Sequence, residues 1–480
     1  MKIHSILYVL GKILFMEAIL MLMPLLLAVV FGENTVLPYA ATCALLFLLG
    51  GSSFFFRKKE HPIRAREALA ITGLTWIAVS FFAALPFFFS GEIPNLLDAM
   101  FETVSGFTTT GATVLSDIEA LSLSSLFWRS FSHWIGGMGV LVFVLAILPG
   151  NDTQSMYLMR AEVPGPQVGK LVSKLRLTAR LLYIIYMALT LLEMLLLLLG
   201  GMPLFDAAVT SFSTAGTGGF AIKNASILAY NSAYIDGVIT VFMLIFSLNF
   251  TLYYLLLLGN FRALIKSEEL RWFGGIVLAA TVAVTLNVLP LYGGIGKAFR
   301  YAVFTVSSII STTGFITADF ALWPAFSQAV LVLLMFIGAC AGSTGGGIKI
   351  SRIAVICKTA VNNIRRQLSP RSVVPLKYEG KLLDKNTESG ITGYLYTFLV
   401  IASASTLLLS LDNLNFKEAF SAMAACLNNV GPGLGKVGPT GNFGGLSALS
   451  KCILIFDMLA GRLELFPILA LFSPSAWRNR

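Results

Sequence analysis

Four segments that end in a glycine share one spacing and could bind a cation. In each, the final glycine lies 13 positions after the first residue. The first and last residues are Asp98 and Gly111, Asp206 and Gly219, Tyr301 and Gly314, and Glu418 and Gly431. An alanine follows every first residue, and a threonine or asparagine stands one or two positions before every glycine. Carbonyl and hydroxyl oxygens can replace the hydration shell of a monovalent cation, so this chemistry is ion binding.

The candidate ion ligands are the glycine of each segment and the two residues before it. They are Thr109, Thr110 and Gly111; Thr217, Gly218 and Gly219; Thr312, Thr313 and Gly314; and Asn429, Val430 and Gly431. Glycine suits a ring of carbonyls because it has no side chain and permits unusual backbone dihedrals. The fourth segment has asparagine and valine where the first has threonines, so the predicted ring is chemically asymmetric.

The residues before each glycine predict the element that positions these ligands. A run of about ten residues makes a helix of ~15 Å, half the thickness of a membrane. Each segment must turn back, so we expect four re-entrant loops, whose irregular backbone must be buried or line a cavity. Four such loops can surround one axis, with their helix C-termini directing partial negative charge at its centre. Four separate surface turns are the alternative, which the gap-free spacing disfavours.

The composition excludes a soluble protein of this length. Of 480 residues, 56% are hydrophobic and 12% are charged, too few charges to solvate a soluble surface. The five cysteines are scattered and give no disulfide framework. Ten apolar stretches approach the ~20 residues that cross a bilayer. They are 13–31, 37–56, 68–90, 126–148, 177–200, 235–258, 273–291, 326–356, 390–411 and 446–472.

The predicted fold is an all-α polytopic membrane protein. Two N-terminal transmembrane helices precede a pseudo-fourfold repeat of span, short pore helix, filter loop and span, an arrangement like that of ion channels. The predicted units are 1–67 for the two leading helices, 68–157 for repeat 1, 158–259 for repeat 2, 260–389 for repeat 3 and 390–480 for repeat 4. Repeat 3 is expected to carry an intramembrane gating loop and a cytoplasmic segment.

Lysine and arginine predict the orientation of the chain. With the N-terminus in the cytoplasm, the inside loops 57–67, 158–180, 259–272 and 345–389 hold 22 basic residues, against 5 in the outside segments. This asymmetry indicates that both termini are cytoplasmic. The basic runs adjoin apolar spans, where anionic membrane lipid explains them better than nucleic acid does.

Two interruptions lie in the later spans. The cluster from Gly338 to Lys349, with Gly345, Gly346 and Gly347, cannot remain a stable straight helix in lipid, since each glycine costs ~1 kcal/mol relative to alanine. We expect a loop that gates the path, with a small-residue packing face as the alternative. Lys349 is displaced by one position from a nucleotide-binding P-loop, which excludes that motif.

Charged residues within apolar spans raise further expectations. Arg462 lies in the last span, where it could form a repulsive barrier in a cation pore or pair with Glu464; snorkelling to the interface is the alternative. For Arg129 and Glu193 we expect salt-bridged packing. Acidic residues at the start of three segments, and the lack of lysine or arginine from 90 to 125, favour cations at the outer mouth.

No constellation in the sequence indicates an enzyme. His4, His61 and His133 share no metal-ligand spacing, and hydrolase motifs are absent from the sequence. We therefore expect no catalytic residues and no bound cofactor.

These motifs resemble those of the Trk/Ktr/HKT superfamily of potassium transporters, most closely the bacterial TrkH/TrkG branch, which the two leading spans favour. The resembling segments are FETVSGFTTTGATV (101–114), SHWIGGMGV (132–140), SFSTAGTGGF (211–220), STTGF (311–315), GSTGGGIKISR (342–352), LNNVGPGLG (427–435) and GRLELFP (461–467). The resemblance implies a homodimer with one K⁺ path per protomer in the bacterial inner membrane.

The resemblance also assigns roles to residues. It implies filter glycines at Gly111, Gly219, Gly314 and Gly431, K⁺ sites formed with the residue before each, a gating loop at Gly345–Gly347 with Lys349 at its end, and a pore arginine at Arg462. It implies a TrkA-like cytoplasmic ring that binds nucleotides and controls the gate, with 345–389 as a docking surface. One glycine per repeat suggests moderate selectivity, so Rb⁺ should pass and some Na⁺ could leak.

Three other functions stay open. A symporter coupling K⁺ to H⁺ or Na⁺ would need an acid near the bilayer midplane, for which Glu193 and Glu102 are the candidates. An intramembrane enzyme lacks a visible catalytic constellation. A non-conducting scaffold for the cytoplasmic ring would bind its partner without ion flux.

Overall fold

The computed structural model describes residues 3–53, 65–139, 175–369 and 375–474. In chain order its α-helices are α1 (Ile3–Phe31), α2 (Val36–Ser52), α3 (Ala65–Ser90), α4 (Leu96–Phe107), α5 (Leu123–Gly137), α6 (Leu175–Leu199), α7 (Leu204–Ala215), α8 (Ala233–Phe246), α9 (Phe250–Leu257), α10 (Phe261–Lys266), α11 (Glu268–Tyr292), α12 (Ile295–Ile310), α13 (Ala325–Ile337), α14 (Ile350–Leu368), α15 (Lys385–Leu409), α16 (Phe416–Leu427), α17 (Ala448–Arg462) and α18 (Phe466–Phe472). The chain is a helical membrane protein.

Five helices in the described ranges are long and apolar enough to cross a membrane without a break. They are Ile6–Phe31, Glu67–Ser90, Ala179–Leu199, Glu268–Tyr292 and Lys385–Asp412. Their outward surfaces expose large apolar side chains, including Leu199, Leu407 and Leu411, each at least 70% exposed. Such apolar surfaces suit lipid and would be unusual on a soluble monomer.

The remaining predicted spans are shorter or broken. The second is α2, of 17 residues. The expectation that the sixth span is continuous is wrong, because α8 and α9 meet at an angle of 92°. The eighth and tenth are interrupted, as expected, between α13 and α14 and between α17 and α18. The end of the fourth span, from 140 onward, lies outside the described residues, as do most of the predicted basic loops 57–67 and 158–180.

Four of the short helices are the predicted half-helices. They are half-helix 1 (α4), half-helix 2 (α7), half-helix 3 (α12) and half-helix 4 (α16), with 12, 12, 16 and 12 residues. Their N-termini differ in chemistry. Asn95 caps half-helix 1 through Leu97 N, and Asn415 forms a capping box with Glu418 on half-helix 4. Half-helix 3 begins six residues before Tyr301, earlier than predicted.

A small β-hairpin departs from the predicted all-α class. Strands β1 (Lys377–Tyr378) and β2 (Lys381–Leu382) pair antiparallel, with Lys377 opposite Leu382. The two turn residues, Glu379 and Gly380, both have positive φ, at 48° and 73°. This two-residue geometry matches the right-handed twist of the strands, which explains why so short a hairpin forms here.

Candidate functional site

The four half-helices end in turns of the same geometry. The residue two positions before each glycine has a left-handed backbone, with φ between 52° and 60°. These residues are Thr109, Thr217, Thr312 and Asn429. The next residue donates its backbone N–H to the carbonyl oxygen five positions earlier, at 2.8 to 2.9 Å. These bonds join Thr110 to Ser105, Gly218 to Ser213, Thr313 to Ser308 and Val430 to Ala425. Each helix is therefore closed by a left-handed C-terminal cap.

The four turns contact one another in a closed ring. A methyl group on Gly111 would lie 1.9 Å from the Gly218 carbonyl oxygen, and one on Gly219 would lie 1.9 Å from that of Thr313. The ring continues with Gly314 at 2.2 Å from Val430 O and closes with Gly431 at 2.6 Å from Thr110 O. Each glycine thus faces the carbonyl that precedes the glycine of the next turn. No side chain fits at these four positions.

The fourth turn is tied to the first by a side-chain amide. Asn429 Nδ2 donates to Thr110 Oγ1 at 3.0 Å and to Met458 O at 2.9 Å. The side chains of Asn429 and Thr110 are both fully buried. Asparagine also tolerates the left-handed backbone of this position better than most residues. The asymmetry that the sequence predicts for the fourth turn therefore gives it a structural link that threonine could not make in the same way.

The glycine-rich loop (residues 338–349) lies against the third and fourth turns. Gly346 N donates to Thr312 Oγ1 at 2.7 Å. A methyl group on Gly346 would lie 2.4 Å from Asn428 O, so only glycine permits this approach. The structure therefore brings the predicted gate residues Gly345 and Gly346 directly against two of the four turns, whereas Gly347 packs against Gly338 within the loop.

The bend between α8 and α9 supports the other side of the glycine-rich loop. Cys340 N donates to Ser247 O at 3.0 Å, and Phe250 N donates to Gly342 O at 3.1 Å. Thr344 Oγ1 donates to Phe246 O at 3.1 Å. Backbone groups released by the 92° bend are thus satisfied by the loop, as irregular backbone at membrane depth requires. The signal that could have located this bend is Asn249, an N-capping residue within the apolar run, whose side chain accepts from Thr251 N at 2.9 Å.

Arg462 joins three elements around the ring. It donates to Thr109 Oγ1 at 3.2 Å, to Thr344 O at 2.7 Å and to Gly137 O at 2.6 Å. Its side chain is buried, which excludes snorkelling. Glu464, the alternative partner for Arg462, pairs with Arg352 at 2.5 Å. The guanidinium therefore links turn 1, the end of α5 and the glycine-rich loop.

Lys349 ends the glycine-rich loop in a left-handed conformation, with φ of 83°. Its ammonium group donates to Gly345 O, and the residue is 2% exposed. A left-handed backbone at a non-glycine residue costs about 1–3 kcal/mol and persists only where surrounding contacts impose it. The loop is closed on itself by this lysine.

Glu269 also holds the glycine-rich loop, although no motif singled it out. Its carboxylate accepts a 2.7 Å hydrogen bond from Ala341 N. Glu379, in the hairpin turn, accepts from Glu269 N at 2.9 Å and from Ser267 Oγ at 3.0 Å. The hairpin and the loop are thereby connected through the first turn of α11. Only the folded chain brings these residues together, since 72 positions separate Glu269 from Ala341.

The acids at the outer ends of the half-helices are engaged. Asp98 pairs with Lys451 at 2.6 Å, Asp206 accepts from Tyr230 at 2.8 Å, and Glu418 belongs to a capping box. Burial, together with this hydrogen bond to Asp206, raises the pKa of Tyr230, so the phenol stays protonated and donates. The expected acidic mouth is therefore compensated at Asp98 and serves helix capping at Glu418.

The expectations for Arg129 and Glu193 have different outcomes. Arg129 pairs with Glu102 at 2.7 Å, which confirms salt-bridged packing there. Glu193 is fully buried, and neither of its carboxylate oxygens has a hydrogen-bond partner among the described residues. The nearby Thr214 hydroxyl donates to Thr210 O instead. Salt-bridged packing is therefore wrong for Glu193.

Comparison with known proteins gives one consistent family. The TrkH family, described as a cation transport protein, matches residues 38–479. The Trk system potassium uptake protein TrkH of Salmonella typhimurium is 36% identical, with both chains fully covered. The Trk system potassium uptake protein TrkG of Escherichia coli K12 is 33% identical over 98% of this chain and 97% of its own. The crystal structure of the potassium transporter TrkH from Vibrio parahaemolyticus superposes with a TM-score of 0.90, at 34% identity and full coverage of both chains.

Proposed function

The chain belongs to the TrkH family of cation transport proteins, and we propose that it takes up K⁺ through a single pore framed by its four turns. The observation that carries this proposal is the closed ring in which each turn glycine faces the carbonyl before the next. A transport family rather than an enzyme family agrees with the expected absence of catalytic residues. The named relatives are potassium uptake proteins, which supports K⁺ as the transported ion here.

In this proposal the ring of carbonyls is the selectivity filter. The K⁺ ligands are the carbonyl oxygens of Thr110, Gly111, Gly218, Gly219, Thr313, Gly314, Val430 and Gly431. The four half-helix C-termini direct partial negative charge at the same centre. The four turns make the ring pseudo-fourfold, with repeats at 68–157, 158–259, 260–389 and 390–480. With one such ring, Rb⁺ passes and some Na⁺ leaks.

The gate of this pore is the glycine-rich loop together with Arg462. The loop packs against turns 3 and 4 through Gly346, and Arg462 ties it to turn 1 through Thr344 and Thr109. A loop bonded to turns 1 and 3 and packed against turn 4 obstructs the path on the inner side of the filter. Opening requires these hydrogen bonds to break, and the positive charge of Arg462 must leave the ion path.

The proposed assembly follows the family resemblance. Ten spans place both termini in the cytoplasm of a bacterium, with the chain in the inner membrane as a homodimer. The 22 to 5 distribution of basic residues supports this orientation. A TrkA-like nucleotide-binding ring docks on the cytoplasmic side, where 345–389 supplies a basic surface and the hairpin lies next to the loop support Glu269.

Uncoupled conduction is favoured over symport. Of the two acids that could couple K⁺ to a proton, Glu102 is bound to Arg129 and to backbone, which leaves it no role as a free proton carrier. Glu193 is buried without a hydrogen-bond partner among the described residues, which is the one observation that suits a protonated acid. It lies behind half-helix 2 rather than in the ring.

Uptake of ⁸⁶Rb⁺ by proteoliposomes containing the purified protein tests the proposal. We expect uptake that excess K⁺ suppresses more strongly than excess Na⁺ does, and no uptake by protein-free liposomes. Folded protein that binds its cytoplasmic partner but conducts neither ion would make it a scaffold instead.

A further inference from the structure

A buried ion pair lies behind two of the four turns. Arg129 and Glu102 meet at 2.7 Å, with side chains 2% and 0% exposed. Arg129 Nε donates a second bond to Glu102 at 2.9 Å. Glu102 belongs to half-helix 1, and Arg129 belongs to α5, which follows the first turn. The pair is therefore fixed in geometry and excluded from water.

The Glu102 carboxylate holds the segment that follows turn 1. Glu102 accepts from Thr113 Oγ1 and from Val114 N, both at 3.0 Å. Thr113 and Val114 come two and three residues after Gly111. The carbonyl of Thr113 also accepts from Phe443 N at 2.8 Å, in the segment that follows turn 4. Glu102 and the backbone of Phe443 therefore both fix the position of this segment.

The Arg129 guanidinium holds the segment that follows turn 2. Arg129 lies over the Phe220 ring, 4.1 Å from its centroid, and donates to Ala221 O at 3.4 Å. These residues come directly after Gly219. Phe220 in turn stacks on His133 at 4.2 Å. One ion pair thus bridges the segments that follow turn 1 and turn 2.

The other contacts between turns lack such a bridge within the described ranges. The positions of half-helices 2, 3 and 4 that correspond to Glu102, nine residues before the glycine, are Thr210, Thr305 and Ala422. Of the ion pairs in the described chain, Arg129–Glu102 alone has both side chains at most 2% exposed. The bridge is therefore specific to one side of the ring.

Stability does not explain this pair. Replacing a buried ion pair by apolar side chains of similar volume is often neutral or stabilising, because both charges must be desolvated. The pair is also neutral overall, so it adds little net charge to the field at the ring. The pair instead fixes the positions of the segments after Gly111 and Gly219 through directed hydrogen bonds.

We propose that Glu102 and Arg129 are positioning residues that set the ion selectivity of the pore by fixing the separation of turns 1 and 2. This inference rests on the proposed conduction through the ring. A looser contact on this side lets the carbonyls of Thr110 and Gly218 close around the smaller Na⁺, so discrimination against Na⁺ falls while conduction persists.

The test compares ⁸⁶Rb⁺ and ²²Na⁺ uptake by the wild type and the double variant Glu102→Leu/Arg129→Met. The double variant leaves no unpaired buried charge, unlike either single change. We expect its Rb⁺ to Na⁺ uptake ratio to fall by about tenfold, equivalent to ~1.4 kcal/mol, the size of one hydrogen bond to a charged group. Thr113→Val, which removes one bond to the carboxylate, should lower the ratio by less.

A matched control removes an exposed ion pair between the same two segments. Lys223 and Glu119 pair at 3.2 Å between the segments after turns 2 and 1, but both side chains are more than 40% exposed. Glu119→Gln/Lys223→Gln should keep the wild-type ratio. An equal loss in this control, or an unchanged ratio in a folded Glu102→Leu/Arg129→Met protein, would overturn the proposal. If that double variant does not fold, an unchanged ratio in Thr113→Val overturns it. Wild-type protein without any uptake would instead refute the proposed function itself.

Discussion

Arg462 donates a 2.7 Å hydrogen bond to the carbonyl oxygen of Thr344, which joins the last long helix to the glycine-rich loop. The same guanidinium reaches Gly137 O and Thr109 Oγ1. In the proposed pore, a cation held in this way would both fix the loop and repel a permeating ion. The proposed account therefore makes Arg462 a main contact that keeps the pore closed.

Replacement of Arg462 should open the pore. Hydrogen bonds to a charged group contribute about 1.5–3 kcal/mol each, so losing even one of them is enough to raise ⁸⁶Rb⁺ uptake by Arg462→Gln about tenfold. Arg462→Lys keeps the charge with fewer donors and should give an intermediate rate. Uptake by folded Arg462→Gln that equals or falls below the wild-type rate would argue against this gate.

Removal of the Glu269 carboxylate should also loosen the loop. Glu269→Ala leaves Ala341 N without its 2.7 Å acceptor, and we expect basal uptake to increase several-fold, by about one hydrogen bond's contribution. Glu268→Gln is the matched control, because Glu268 pairs with Lys358 and accepts from Glu379 N, and the change keeps an acceptor oxygen for that bond. Equal uptake rates for the two variants would show that the contact from Glu269 to the loop does not restrain the gate.

Asn429 should contribute stability through both its backbone and its amide. Alanine at a left-handed position is disfavoured by about 1–2 kcal/mol, and Asn429→Ala also loses the bonds to Thr110 and Met458. We expect a lower midpoint of thermal unfolding in detergent for this variant. Asn429→Gly relieves the backbone alone and should unfold at an intermediate temperature; a midpoint for Asn429→Ala at or above that of the wild type would be incompatible with this role.

Glu193 should be dispensable for conduction. If transport is uncoupled, Glu193→Gln keeps the shape of the side chain, removes its ionisable proton, and leaves ⁸⁶Rb⁺ uptake within about twofold, since small isosteric changes cost little. An imposed pH gradient should not drive uptake in either protein. Uptake that follows the pH gradient in the wild type and loses this dependence in Glu193→Gln would favour the symporter.

The sequence predicts the repeated elements better than the contacts between them. A spacing of 13 residues locates Gly111 and its three counterparts, because a short helix must precede each turn and ends four residues before its glycine. The 92° bend after Phe246 escapes prediction, since the backbone groups it releases are satisfied by a loop almost 100 residues away. The alternative in which Arg462 pairs with Glu464 rests on proximity in sequence, whereas the fold pairs Glu464 with Arg352.

The most direct test of the central claim is uptake by Gly219→Ala beside Gly275→Ala. A methyl group at Gly219 would lie 1.9 Å from the Thr313 carbonyl, whereas at Gly275, on the apolar helix α11, it would meet open space. We predict that Gly219→Ala loses K⁺-competed ⁸⁶Rb⁺ uptake or its discrimination against Na⁺, while Gly275→Ala behaves as the wild type. Folded Gly219→Ala protein with wild-type uptake and selectivity would contradict a filter built from the four turns.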